Sequence, residues 1–373
     1  MRVLVGVAAA AVILLIMREA FETIILPRRV HKEFRFTVLF FRAVWLLWAA
    51  AGRIGGKRRE GWLGVFGPAS LLVLLGLWAG MLIVGFAALH WATGGQVDAK
   101  NATPDFTTLL YASGTTFFTL GIGDVTPNDN AGRVITVVES GLGFAFLGLV
   151  ITYVPILYQG FSKRETQIAL LDARAGSPPC GAELLRRIGA NGRDSHRFAV
   201  LDPVLAAWEQ WCVELLEIQL SYPSLIFFRS QQDNQSWIGT LTAIHDTCAL
   251  LIADADGIAT WQARVTFGAA RHAAVDMAQY LAVLPDSAGM GRLAAGDHDR
   301  IRALLAESGV PLHTDEDTEA RLTALRALYE PYMHGLAQYL VFDLPAWLPD
   351  ARARDNWRTT SMGDLSHPRG ESL

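Results

Sequence analysis

The run Thr119-Leu120-Gly121-Ile122-Gly123-Asp124 sets glycine at two alternate positions between a hydroxyl and a carboxylate. Glycine has no Cβ and accepts backbone angles that other residues resist. A strand with such residues at alternate positions can turn successive carbonyl oxygens to one side. Four copies around an axis would stack those oxygens into rings able to replace the hydration shell of an ion. The chemistry on offer is coordination by main-chain oxygen rather than the making or breaking of bonds.

Such a strand needs elements to hold it. The apolar segment Phe106–Phe118 just before it is too short to cross a bilayer, which takes about 20 apolar residues. It can only dip in and return, and non-helical backbone at that depth survives where it lines a water-filled cavity or is buried in protein. Trp62–Ala92 and Val134–Tyr158, on either side, are long enough to span. Val3–Met17 is short but nearly free of polar groups. Arg18-Glu19 follows it instead of a small-residue cleavage site, which predicts a retained span rather than a removed signal. Thr37–Ala51 is also short, and Arg42 interrupts it. Arg28, Arg29, Lys32 and Arg35 precede it; Arg53, Lys57, Arg58 and Arg59 follow. A crossing would place one basic cluster outside, so this run is expected to lie along the cytoplasmic face. The loop Thr93–Arg133, with the glycine strand, is then external.

Composition divides the chain in the same way. Its 373 residues are 51% hydrophobic and 18% charged, with mean hydropathy +0.27. That is too apolar for an ordinary soluble protein and too charged for one made only of spans. Residues 1–163 carry a net charge of +5 and residues 164–373 a net of −9, giving −4 for the whole. The organisation expected is an anchor and basic interfacial segment (1–60), a pore domain (61–163), a helical cytoplasmic domain (164–349) and a disordered polar tail (350–373). Cys180, Cys212 and Cys248 fit neither a zinc site nor a disulfide framework, and a reducing compartment is the simpler expectation. The acidic excess argues against a nucleic-acid partner.

Residues 104–160 resemble the potassium channel family in its simple two-helix pore form, with Thr119–Asp124 similar to that family's T-V-G-Y-G-D filter. The resemblance implies an all-α membrane protein with a homotetrameric pore of outer helix, re-entrant pore helix and filter, and inner helix. Thr119 would offer hydroxyl and carbonyl to the innermost ion site; Leu120, Gly121, Ile122 and Gly123 would add carbonyls. Asp124 would anchor the filter's outer end, with Tyr111 as its hydrogen-bond donor or else an interfacial belt residue. Ile122 replaces a tyrosine that braces the filter through its hydroxyl, and isoleucine can brace only by packing. Gly143 falls at the family's hinge glycine, and Pro155 lies near the cytoplasmic mouth, where proline kinks a helix. Phe144, Leu147 and Ile151 recur at helical spacing and face either the cavity or the outer helix. Gly141 and Gly148 read as hinge or close-packing positions. Glu139 is an intramembrane carboxylate, expensive unless it faces protein or water, and is expected to bond to the back of the pore helix. No arginine array precedes the pore.

The second half reads as mostly helical. Helices are expected near Ala182–Ile188, from an Asp202-Pro203 start, and over Ser236–Ala253, Thr260–Leu284, His298–Ser308 and Glu316–Tyr339. Val204, Leu205, Trp208, Trp211, Cys212, Leu215 and Leu216 form one apolar stripe. The polar run Phe227–Trp237, "FFRSQQDNQSW", reads first as a loop and helix cap, with a small-ligand or subunit contact as the alternative. His245, Asp246 and Cys248, or His272 and Asp276, are weak metal candidates. No dinucleotide-binding glycine motif and no catalytic constellation stands out. The expectation is a potassium-preferring channel of the cell inner membrane. It would be multi-pass and no enzyme, with no cofactor and no metal beyond permeating K+. Its partners would be itself, the lipid bilayer and an unidentified cytoplasmic ligand. The alternatives are a non-selective cation channel and a non-conducting sensor or scaffold.

Overall fold

An apolar run in a bilayer has no hydrogen-bond partner for its backbone but itself, so it becomes helix. In the computed structural model these runs are α1 (Arg2–Ile24), α2 (Phe36–Ile54), α3 (Arg59–Thr93), the short α4 (Phe106–Phe117) and α5 (Asn130–Ala175). The structure describes residues 1–24, 36–54, 56, 59–94, 97–99, 105–190, 195–232, 234–314 and 317–348. The expected disordered tail and the basic residues Arg28, Arg29, Lys32 and Arg35 lie outside them. The strands are β1 (Val97–Ala99) and β2 (Val125–Pro127), antiparallel with Asp98 opposite Thr126. The chain is an all-α membrane protein with this one small ribbon.

Contacts group the chain into two compact units. One joins Met1–Trp48 to Val65–Gln159; the other joins Ala49–Gly64 to Gly160–Leu373. In the first, α1 and α3 run antiparallel. A methyl group on Gly6 would meet Ala92 Cβ at 3.1 Å, and one on Gly85 would meet Ile13 Cγ1 at 2.9 Å. Small residues thus let the two backbones approach. α2 pairs with the other end of α3, where the Trp45 ring meets Phe66 edge-on at 4.8 Å. Its first turn is capped from α1: Glu19, buried, accepts from Thr37 Oγ1 at 2.9 Å and faces the Phe36 and Thr37 amides at 3.4 Å. A carboxylate there satisfies otherwise unpaired N–H groups and complements the helix dipole.

This corrects the length assigned to the second apolar run. It forms a 19-residue helix that, like α1, α3 and α5, is long and apolar enough to cross a membrane. Arg53 ends the helix, and the stems of Arg42 and Arg53 can lie along apolar surface with their charges at its edge. Length therefore does not exclude a crossing. α3, at 35 residues, is about 52 Å long, against about 30 Å of hydrocarbon. α1 and α2 divide that length between them.

In the second unit α8 (Trp237–Ala253) is the axis. Ser236 begins it as an N-cap, accepting from Gly239 N at 2.9 Å. Nearly every side chain on it is buried, the polar Thr240, Thr242, His245, Asp246 and Thr247 included. α6 (Gly181–Ala190), α9 (Thr260–Leu281), α11 (Thr318–Ala327) and α12 (Glu330–Leu340) pack around it. α7 (Leu201–Ser221) lies along α9 and buries Leu205, Trp208, Trp211, Cys212, Leu215 and Leu216, while α10 (Asp297–Glu307) packs on α6. A fully buried side chain of this size contributes about 1.5–3 kcal/mol.

Two expected boundaries move. α7 starts at Leu201 after a 3-10 turn over Ser195–Val200, so Asp202 sits inside the helix and caps nothing. The single helix expected over Glu316–Tyr339 is broken into α11 and α12, with Pro331 in the first turn of α12. Proline lacks the N–H that a helix interior needs.

Candidate functional site: the pore segment

The site begins with α4. Asp105 caps it, its Oδ1 accepting from Thr108 N at 2.9 Å and from the hydroxyls of Thr107 and Thr108. At the other end Leu120 N donates to Thr115 O at 2.8 Å and Thr119 N to Thr116 O at 2.9 Å, with Thr119 left-handed at φ +56°. A six-to-one bond over a left-handed residue ends a helix in a Schellman turn, where glycine is usual. A β-branched threonine there carries strain. The same turn delivers the helix's negative end to the start of the glycine strand.

From that turn the backbone alternates. Gly121 has φ +62° and Gly123 φ +72°, whereas Leu120 and Ile122 are not left-handed. Alternation in the sign of φ is what turns consecutive carbonyls to one side. The five residues Thr119–Gly123 are exposed within one chain, Leu120 at 62% and Ile122 at 58%. The strand's outer end is held twice. Tyr111 Oη donates to Asp124 Oδ2 at 3.0 Å, and Val125–Pro127 pairs with β1.

Behind α4, Glu139 on α5 is 0% exposed. Its Oε1 accepts from Ser113 Oγ on α4, and its Oε2 lies 3.6 Å from His90 Nε2 on α3. One carboxylate thus ties the pore helix to both long helices. Ser113 and His90 were not anticipated, because residues 26 and 49 positions from Glu139 leave no local pattern.

Gly143 acquires a specific reason. A Cβ there would overlap the Phe117 carbonyl oxygen at the end of α4. α5 is helical straight through this position, where the backbones of α4 and α5 approach closely. Nothing lies within 4 Å of a Cβ built at Gly141 or Gly148. α5 also continues through Pro155. Phe144 and Ile151 are 72% and 71% exposed, Leu147 is half-buried, and Phe146 instead turns inward against Phe117 at 5.7 Å.

The weaker candidates in the second unit have other roles. Asp246 is held by a two-pronged bond from Arg292 and by Tyr329 Oη at 2.5 Å. Glu330 accepts from Arg292 at 3.0 Å, Arg326 at 3.0 Å and Trp347 Nε1 at 2.9 Å. Burial raises the Asp246 carboxyl against the pull of Arg292. Burial would lower the Arg292 guanidinium, but Asp246, Tyr329 and Glu330 hold it above its ordinary value. His245 stacks on Tyr329 at 4.4 Å, and burial pushes its imidazole down to about 3. Cys180, Cys212 and Cys248 are buried and unbridged, and burial pushes the Cys180 thiol up to about 12. His272 and Asp276 make only an i,i+4 pair at 3.7 Å. Among the described residues no group of three or more metal-ligating side chains converges.

The family match falls within the first unit. Residues 72–159 match the family model described as an ion channel. The chain is also similar to the uncharacterized membrane protein YdjJ of Bacillus subtilis (strain 168). The two are 24% identical over 207 residues, 55% of this chain and 58% of the relative, so the match spans less than two thirds of that protein's length. No solved structure matches the chain. The family match covers most of α3, all of α4 and the alternating strand, and the first part of α5.

Proposed function

We propose that the protein is a potassium-preferring channel of the cell inner membrane, in which four copies surround one conduction path. The observation that carries this reading is the alternation of left-handed residues at 119, 121 and 123, directly after the capped C-terminal end of a short helix. Thr119, Leu120, Gly121, Ile122 and Gly123 supply main-chain oxygens to permeating K+, with the Thr119 hydroxyl at the inner end. Asp124 and Tyr111 hold the outer end, and Glu139 fixes the pore helix from behind. Ion preference then rests on backbone geometry. Phe144 and Leu147 face the inner cavity, with Pro155 as the bend near its mouth. In functional terms residues 61–163 are the pore and residues 164–349 a cytoplasmic domain that assembles or regulates it, without enzymatic activity. The exposure of the strand in one chain supports the tetramer, since further copies would cover it.

Ile122 supports a second reading, because it cannot brace the filter by a hydroxyl as tyrosine does. A looser filter passes sodium as well. The test is ion flux through the purified protein in liposomes, potassium against sodium. Potassium well ahead of sodium supports the first reading; equal flux moves the assignment to a non-selective cation channel; no flux of either ion leaves a sensor or scaffold built on a channel-derived pore.

A further inference from the structure

The second unit contains a cavity of about 520 Å³, within the usual size range of small-molecule sites. Its walls are the first turns of α3, Pro178 and Pro179, the polar residues Arg229–Gln232 and Asn234–Ser236 with Gly239, and the extended chain Phe342–Ala346. All of them belong to that unit. The polar run is the "FFRSQQDNQSW" stretch, whose loop-and-cap role Ser236 alone discharges.

The charges on this wall are already engaged. Arg229 Nη1 donates to Glu60 Oε2 at 2.6 Å, and Nη2 donates to the Leu340 and Val341 carbonyls at 2.8 Å each. The guanidinium lies over the Phe342 ring at 4.0 Å. Asp343 is 3.6 Å from Arg59. An anionic ligand would have to break the Arg229 contacts to find a cation among the described lining residues. The amides differ. Gln231 and Gln232 line the cavity with exposed side chains, and Ser230 Oγ is buried with no partner among the described residues. A glutamine amide offers two donors and an acceptor. Pro178, Pro179 and Leu344 give the remaining wall an apolar face.

We infer that this cavity is a binding site for a small neutral molecule that carries several hydroxyl or amide groups and one apolar face, of nucleoside or sugar size. Gln231 and Gln232 read its polar edge, and the proline wall takes its apolar side. Glu60, Gly61 and Gly64 lie at the start of α3, the helix that continues as Val65–Thr93 of the pore unit. Occupancy is thus an input to that helix. The inference does not rest on the pore reading, and its test reads binding instead of flux.

The test is thermal unfolding of the full chain in detergent with adenosine, uridine or glucose, and with uridine monophosphate as the anionic control. At least one neutral probe should raise the midpoint by several degrees, and the monophosphate should not. Adenosine or uridine acting alone would assign a nucleoside, and glucose acting alone a sugar. Gly61→Leu should abolish the rise, because a side chain there enters open space in the cavity wall with nothing within 4 Å of its Cβ. Gln232→Ala, at an exposed position, should reduce the rise without perturbing the fold, and it serves if the leucine variant does not fold. The proposal is overturned by the absence of a shift with every neutral probe, by an equal shift in either variant, or by a larger shift with the monophosphate.

Discussion

The strand Thr119–Gly123 and the helix α8 are both short segments on which their units depend, and they are opposites in one chain. Every residue of the strand is exposed, whereas α8 is buried along nearly its whole length. The strand's order comes from its own backbone: left-handed residues at alternate positions, a capped helix before it and a ribbon after it. α8 gains its order from the surrounding helices of its own unit. A segment whose shape comes from its own backbone can tolerate changes in its side chains but not in its backbone. A segment shaped by packing and buried ion pairs behaves in the reverse way.

The largest effect should come from breaking the strand's backbone. Gly121→Ala forces a side chain into φ +62°, at roughly 1–2 kcal/mol per chain, and in a tetramer the cost falls four times on one path. Potassium flux in liposomes should drop to background while size-exclusion chromatography still shows the assembled protein. Parental flux in this variant would remove the strand from the conduction path.

The counterpart in the second unit is Asp246→Ala. It leaves Arg292 buried without its main partner, and breaking such a pair costs about 3–5 kcal/mol. At 2–4 °C per kcal/mol for a unit of this size, the unfolding midpoint should fall by roughly 10 °C. The potassium-to-sodium ratio of protein that remains folded should be unchanged. A shift in that ratio would blur the contrast between the two regions.

A smaller effect is expected from pH. His245 is neutral in the folded core, with its imidazole near 3, against about 6.5 in an unfolded chain. Its contribution is whole above 6.5 and is lost as pH falls toward 3, because the unfolded state takes up the proton first. Between pH 7.5 and 5 this removes about 2 kcal/mol. The difference in unfolding free energy between the wild type and His245→Phe, measured by denaturant titration, should change by that amount over the same range. A constant difference would show that the buried imidazole does not set the slope.

The smallest change tested is Pro155→Ala. It restores one backbone hydrogen bond within α5, worth about 1 kcal/mol. Single-channel recording should show an altered open probability and an unaltered ion preference. A change in preference alone would move Pro155 out of the gate.

The contrast also explains what could be read in the sequence. The strand and its helix were legible because their chemistry lies in residue type and spacing over about twenty positions. Ser236 was legible as the start of α8 for the same reason. Asp246 and Arg292, Glu60 and Arg229, and Glu139 and His90 were not, because their partners lie 46, 169 and 49 positions apart. Long-range pairs leave no local period. The break between α11 and α12 falls just before Pro331, inside a run whose apolar spacing is helical on both sides. The role of Gly143 needed coordinates, since a glycine that admits a neighbouring carbonyl and one that admits a bend look alike in a string of letters.

Glu19 carries a consequence for the order of synthesis. Its carboxylate is satisfied by Thr37 and by the first amides of α2, which leave the ribosome only after α1 is complete. Until then α1 presents a bare acid near its end, in surroundings where an unpaired carboxyl is costly. α1 is therefore an unfinished piece when made alone. A chain truncated before Phe36 should therefore be less well retained in a membrane than one truncated after Ile54.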